Sequence, residues 1–127
     1  MADKTVAFIC THNACRSQMA EALAKHAGYQ EYRFYSAGSA PKEQIDQNAV
    51  RILKEKFGID MHSQYPKMIR DIPAPDIAIS MGCGVKCPFI GRDFDDDWGL
   101  EDPTGNPDEK YLKVIAQIQE QLKRRFG

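Results

Sequence analysis

Cys10 and Arg16, with five residues between them, are the pair on which chemistry is most readily built. A thiol that opens a short polar loop and a guanidinium that closes it can act on one ligand. The planar guanidinium grips two oxygens of an oxyanion in a fork while the sulfur faces its central atom. Thr11, His12, Asn13, Ala14, Cys15 and Arg16 would offer backbone N–H groups to the same anion. Ser17 can add a hydroxyl hydrogen bond to the sulfur, and the positive surroundings favour the nucleophilic thiolate. The competing reading is a buried structural cysteine beside a surface arginine. The order strand, loop, arginine, serine, helix weighs against it.

Two more cysteines, Cys83 and Cys87, are separated by three residues. At i and i+4 on a helix their Cβ atoms would stand about 5–6 Å apart, whereas a disulfide wants about 3.5–4.5 Å. Bonding them would strain or unwind a helix, and Gly82, Gly84 and Gly91 make the segment deformable. Two buried thiols, or half of a metal site, are the other readings. No second Cys/His pair has zinc-like spacing, so no metal and no cofactor is expected. Asp102, followed by Pro103, is the remaining candidate. An aspartate before a helix ordinarily caps or turns the chain, but Asn106 looks the better cap. Residues 93–109 carry eight acids and no base. Such crowding is expected to raise the proton affinity of Asp102.

The elements that must hold these groups alternate between strand and helix. Thr5–Ile9 is apolar and β-branched, a buried strand that delivers Cys10. Met19, Ala20, Leu23, Ala24 and Ala27 fall at helical spacing behind the loop, with Gly28 as the stop. A strand turning through a polar loop into a helix leaves unpaired N–H groups at the positive end of the helix dipole, which is an anion site. Arg33–Ala37 reads as the second strand. Ile45, Ala49, Ile52, Leu53 and Phe57 share a helical face that Gly58 ends. Pro66 suggests the start of a short helix, Asp76–Met81 the third strand, and residues 92–98 a short fourth. Asn106, Pro107 and Glu109 open the last helix, whose stripe is Tyr111, Val114, Ile115, Ile118 and Leu122. Lys123, Arg124 and Arg125 complement its dipole at the far end. The pattern implies an α/β three-layer sandwich, a four-stranded parallel sheet flanked by helices, with the site at the carboxyl ends of the strands.

At 127 residues the chain, 1–127, is expected to form one domain. A net charge of −1 gives no argument for nucleic acid or an anionic membrane. No run of 18 apolar residues and no signal-peptide pattern is present, so a cytoplasmic protein, a monomer, is expected. In a reducing compartment, four cysteines point to catalysis or metal binding rather than to staples.

The C-x5-R-S run between a first strand and a first helix resembles the phosphate loop of the low-molecular-weight tyrosine phosphatase fold, which the thioredoxin-coupled arsenate reductases share. The likeness continues through Gln18-Met19-Ala20-Glu21, Tyr35-Ser36-Ala37-Gly38 and Trp98-Gly99-Leu100-Glu101-Asp102-Pro103. It implies an arsenate reductase. In that reading Cys10 attacks arsenic, Arg16 and the loop hold the oxygens, and Asp102 protonates the departing oxygen. Cys83 and Cys87 then carry the disulfide outward to thioredoxin. Their short spacing leaves glutaredoxin with glutathione as the other reductant. A phosphatase working through a phosphocysteine at Cys10 would need neither Cys83 nor Cys87. It would also normally present aromatics where Thr104 and Gly105 stand.

Some relatives of this kind hold a potassium ion with an asparagine, a glutamate, a serine and an aspartate. Asn13, Glu21 and Ser36 are retained, whereas Lys67 falls at the aspartate's place. Its ammonium would replace the ion and brace Asn13 and Glu21; a solvated lysine on a helix is the alternative. Asn13 is expected in a left-handed conformation. His12, where the family most often has glycine, reads as an adapted turn residue. Cys15 is either packed and inert or an off-pathway disulfide partner of Cys10. Trp98 reads as core packing, and His26 and His62 as surface residues.

Overall fold

The computed structural model describes residues 3–82 and 93–127. Strands β1 (Lys4–Cys10), β2 (Tyr32–Gly38), β3 (Ile77–Ser80) and β4 (Asp96–Asp97) form one sheet in the order β2-β1-β3-β4. Every pairing is parallel, with Phe8 opposite both Ser36 and Ile79. Helices α1 (Arg16–Ala27), α2 (Gln47–Phe57) and α3 (Asp108–Phe126) complete the frame. A strand's side chains alternate between faces, which sorts the core. Val6, Phe8, Phe34 and Ile79 pack with all three helices through Met19, Leu23, Ile52, Leu53, Tyr111 and Ile115. The opposite face carries Ala7, Ile9 and Ala37 under Ile69, Ile72 and Phe94. Trp98 is buried, with its ring 5.4 Å from that of Phe8. No helix among the described residues is long and apolar enough to cross a membrane.

Two local expectations, the helix start at Pro66 and the Asn106 cap, are corrected. Pro66 does not start a helix: Lys67 O accepts from Gly38 N at 2.9 Å, Met68 bridges to Gly38, and only a 3₁₀ turn forms, at Ile69–Asp71. Cross-chain bonds take the backbone groups that a helix would have used. The short fourth strand expected within 92–98 is present, as the two residues Asp96–Asp97 in the acidic run. Pro107, in extended conformation, holds the N-cap position of α3, while the Asn106 side chain donates to Thr104 O at 3.4 Å.

At the carboxyl edge β1 and β3 lie side by side, with β2 beyond β1. A sheet of this order opens its crevice between the two central strands, where the chain departs in opposite directions. Cys10 ends β1 at that crevice.

Candidate active site

The loop from Thr11 to Cys15 turns its carbonyls outward. Thr11 O accepts from Ala40 N (2.9 Å), His12 O from Lys42 N (3.0 Å), and Ala14 O from Asp46 N (2.8 Å). Asn13 O accepts from Gln18 Nε2 at 3.1 Å, and Cys15 O from Met19 N at 2.9 Å. In a trans peptide the N–H of the next residue points opposite to the carbonyl. The N–H groups of residues 12–16 therefore face inward together. The first turn of α1 has no side-chain cap and no acidic residue, which leaves its positive end open to an anion. The close passage of β2 behind this loop requires Gly38, where a Cβ would stand 2.4 Å from Thr11 O.

Within this cradle the Cys10 sulfur, on a residue only 4% exposed, lies 2.9 Å from Ser17 Oγ. Asn13 adopts φ 48°, the left-handed region that an asparagine tolerates, and its Nδ2 donates to Ser17 Oγ at 2.8 Å. Arg16 uses Nη1 to hold Met81 O (3.2 Å) and Leu100 O (2.8 Å). Among the described residues its other N–H groups take no hydrogen-bond partner and are available to a ligand. The resulting pocket, about 640 Å³, is lined by Cys10, Arg16, Lys42, Gly82, Asp102 and Thr104 among others. Lys42 and Thr104 were not singled out from the sequence. Lys42 arrives through its backbone bond to His12, a long-range contact with no periodic signature.

Asp102 stands exposed at the rim, where its carboxylate accepts from Thr104 N (3.1 Å) and Thr104 Oγ1 (2.7 Å). Burial pushes its proton affinity up. The Thr104 hydrogen bonds, with Arg16 and Lys42, more than offset this, and the carboxyl sits below its ordinary range. The expected rise from crowded acids is thus overturned, because the Thr104 donors and the charges of Arg16 and Lys42 outweigh burial. Cys15 is buried at the start of α1. Burial, then the Asp46 carboxylate, holds its thiol far up, so it stays protonated and inert as a nucleophile.

Residues 5–126 match the family of low molecular weight phosphotyrosine protein phosphatases. The chain belongs to that family. Among its members, the glutaredoxin arsenate reductase of Synechocystis sp. is 36% identical over 94% of this chain and 93% of its own. The arsenate reductase of Staphylococcus aureus is 32% identical over the same shares. A solved arsenate reductase in the phosphate binding state superposes with TM-score 0.82 at 35% identity, covering 95% of each chain. The thioredoxin-dependent arsenate reductase of Corynebacterium glutamicum does so at 0.73 and 32%, over 97% of this chain and 62% of that one.

Behind the family's phosphate loop lies a buried charge cluster. Glu21 accepts from Ser36 Oγ at Oε1 and from Lys25 Nζ at Oε2, each at 2.5 Å, and Lys67 Nζ stands 3.6 Å from Oε1. Lys67 is 9% exposed and donates to Tyr65 O at 2.9 Å. Burial lowers its proton affinity, while Glu21 works to raise it. The ammonium reaches Glu21 but does not brace Asn13. That contact is made by the Lys67 backbone N–H, 2.9 Å from Asn13 Oδ1. Among the described residues no group of three or more His, Cys, Asp or Glu could hold a metal ion. His12 is exposed; His62, also exposed, pairs with Asp60 at 3.0 Å.

Two residues that sequence reasoning missed support the loop. Gln18 is fully buried, its amide on Asn13 and Tyr65. Asp46 caps α2 through Asn48 N and accepts from Tyr111 OH. Gln18 lies in the stretch 17–24 of α1, every residue of which is buried, Glu21 included. Cys83 and Cys87 lie outside the described residues.

Proposed function

We propose that this chain is an arsenate reductase that draws electrons from Cys10, Cys83 and Cys87 and is regenerated by thioredoxin. The observation that supports it most is the position of Gly82. It lines the Cys10 pocket, Arg16 holds the carbonyl of Met81 before it, and Cys83 is the next residue in the chain. The strand that builds the oxyanion pocket thus leads directly into a second thiol.

Dihydrogen arsenate binds with its oxygens on the loop N–H groups and the free edge of Arg16. The Cys10 thiolate attacks arsenic, a sulfur–arsenic bond forms, and one oxygen leaves as water with both substrate protons. Asp102 is ionised at rest, so it relays one of those protons rather than supplying its own. The Cys83 thiolate next attacks the Cys10 sulfur. The sulfur–arsenic bond breaks, its electron pair stays on arsenic, and arsenic(V) departs as arsenite while two thiols become the Cys10–Cys83 disulfide. Cys87 attacks the Cys83 sulfur, freeing Cys10 and leaving Cys83–Cys87, which an external dithiol reduces by exchange. Glutaredoxin with glutathione is the alternative reductant.

Phosphoester hydrolysis is the second reading, favoured by the family itself and by a trio, Cys10, Arg16 and Asp102, that suffices for it. The described pocket lining contains no Phe, Tyr or Trp to stack on an aryl ester, and Thr104 follows Asp102–Pro103. A small inorganic oxyanion fits it better.

Arsenite counting with cysteine variants tests the relay. Wild type with thioredoxin should turn over repeatedly. Cys87→Ser should release one arsenite per enzyme and stop as the Cys10–Cys83 disulfide. Cys83→Ser should hold the arsenic adduct and release none. Aryl phosphate hydrolysis faster than arsenate reduction, and indifferent to Cys83→Ser, would establish the phosphatase reading instead.

A further inference from the structure

Three amide side chains, those of Asn13, Gln18 and Gln64, stand in file behind the Cys10 thiol. Each has one end against a backbone group whose hydrogen-bonding sense cannot change. Asn13 meets the N–H of Lys67 at 2.9 Å, so that end must be its oxygen. Gln18 meets the carbonyls of Tyr65 (2.9 Å) and Asn13 (3.1 Å), so that end must be its nitrogen. Gln64 meets the carbonyl of Gln18 at 3.1 Å and is fixed in the same way.

The links between the amides then have only one direction. Gln64 Nε2 donates to Gln18 Oε1 (2.8 Å), Gln18 Nε2 gives one hydrogen to Tyr65 O and shares the other between Asn13 O and Asn13 Oδ1 (2.9 Å), and Asn13 Nδ2 donates to Ser17 Oγ (2.8 Å). Ser17 already accepts, and it is fully buried, so its one proton has no water to meet. Between a hydroxyl and a thiol 2.9 Å apart either atom could donate. With Asn13 Nδ2 already donating to Ser17 Oγ, the serine proton is left for the sulfur, and a donor aimed at a sulfur favours its charged form. Aligned hydrogen bonds also polarise one another.

We infer that Gln18 and Gln64 are positioning residues whose amides hold and polarise the Asn13 side chain, which Lys67 N–H already orients, and so strengthen the hydrogen bond from Ser17 to Cys10, an inference that rests on Cys10 being the nucleophile of the proposed reaction. Neither touches the pocket. Packing alone would give them a role in stability and none in the ionisation of a sulfur that they do not contact.

The test is the pH profile of Cys10 alkylation by iodoacetamide in the full-length reduced protein, with peptide mapping to read Cys10 apart from the other cysteines. Gln18→Met keeps the shape and removes the donor. It should move the Cys10 midpoint up by about half a pH unit, a loss of about threefold in rate below the midpoint. Gln64→Leu, at a half-buried position, should move it the same way by less. The double variant should go no further than Gln18→Met, because Gln64 acts only through Gln18. In a Ser17→Ala background neither substitution should move the midpoint. An unmoved midpoint in folded Gln18→Met, additive shifts, or shifts that survive Ser17→Ala would each overturn the inference. If Gln18→Met does not fold, Gln64→Leu with and without Ser17 decides it alone. Midpoints that shift as expected in the variants, with a wild type that reduces no arsenate, would remove the proposed reaction and leave the file standing.

Discussion

Behind Cys10 the supporting bonds are buried and join distant parts of the chain: Asn13 to Lys67, Gln18 to Tyr65, Glu21 to Ser36, Ala14 to Asp46. At Asp102 itself they are exposed and reach two residues along, Asp102 to Thr104 and Thr104 to Asn106, and among the described residues the long-range hydrogen bonds of this segment stop at Leu100, which bonds to Met81 and Arg16. Breaking a buried bond strands a polar group away from water, whereas an exposed turn exchanges its bonds for water's at little cost. The thiol side of the pocket is therefore fixed by the fold and the carboxylate side by local turns. Changes behind the loop should cost stability as well as rate. Changes around Asp102 should alter proton transfer in a protein that stays folded.

The largest effect that this contrast allows is loss of the reaction without loss of the fold. Cys10→Ser keeps nearly the volume of a side chain packed in the core and removes the nucleophile. No arsenite should form above the blank. Arg16→Ala removes the oxyanion fork and should cost at least about 10²–10³-fold in turnover. It also frees Met81 O and Leu100 O, so a modest fall in melting temperature should accompany it. Substantial arsenate reduction by Cys10→Ser would end the assignment.

The same contrast explains what could be read without coordinates. The strand–loop–helix unit was legible because its chemistry and its folding signals are adjacent in the chain. So was the stripe of α3, all of it buried, and the end of α2 at Gly58. The parallel sheet followed from the alternation of elements. The file of amides was not legible, since Gln18 and Gln64 are single polar residues whose pairing depends on how segment 61–67 passes α1. The same holds for Asp46 with Tyr111. Pro66 misled because its local preference lost to cross-chain bonding at Lys67. Asp102 misled because charge counted along a sequence says nothing about which charges come near in space.

Lys67→Met tests the buried side at intermediate size. Glu21 keeps Lys25 and Ser36, so the loss should be about 1–3 kcal/mol in unfolding free energy, not a collapse. The pH dependence has a definite sign. Burial depresses the proton affinity of Lys67 in the folded protein, so over the alkaline window the unfolded chain binds more protons. Wild type should thus gain on the variant as pH rises towards the ordinary lysine range. Denaturant melts across that range measure the gap, and a gap that narrows would contradict the assigned cause. Potassium should protect wild type no better than sodium at equal ionic strength, because an ammonium already stands against Glu21.

Thr104→Val tests the exposed side, where the smallest effect is expected. The substitution keeps the β-branched shape and the backbone N–H but removes the hydroxyl 2.7 Å from Asp102 Oδ1. Burial works to raise the Asp102 carboxyl, and the Thr104 bonds are the foremost of the effects that hold it low. Its titration, followed by carboxyl carbon NMR in the free protein, should therefore move up towards the ordinary aspartate range. A carboxyl with a depressed folded value stabilises the protein above its unfolded value, and that contribution fades as pH falls through the folded one. Any advantage of wild type over Thr104→Val should accordingly be present at neutral pH and close on acidification. Turnover at neutral pH should change only about two- to threefold, since the carboxylate is still ionised at rest and still relays its proton. A downward or absent shift would mean that Arg16 and Lys42, not the turn, hold Asp102 ionised. The carboxylate side would then depend on the same long-range fold as the thiol.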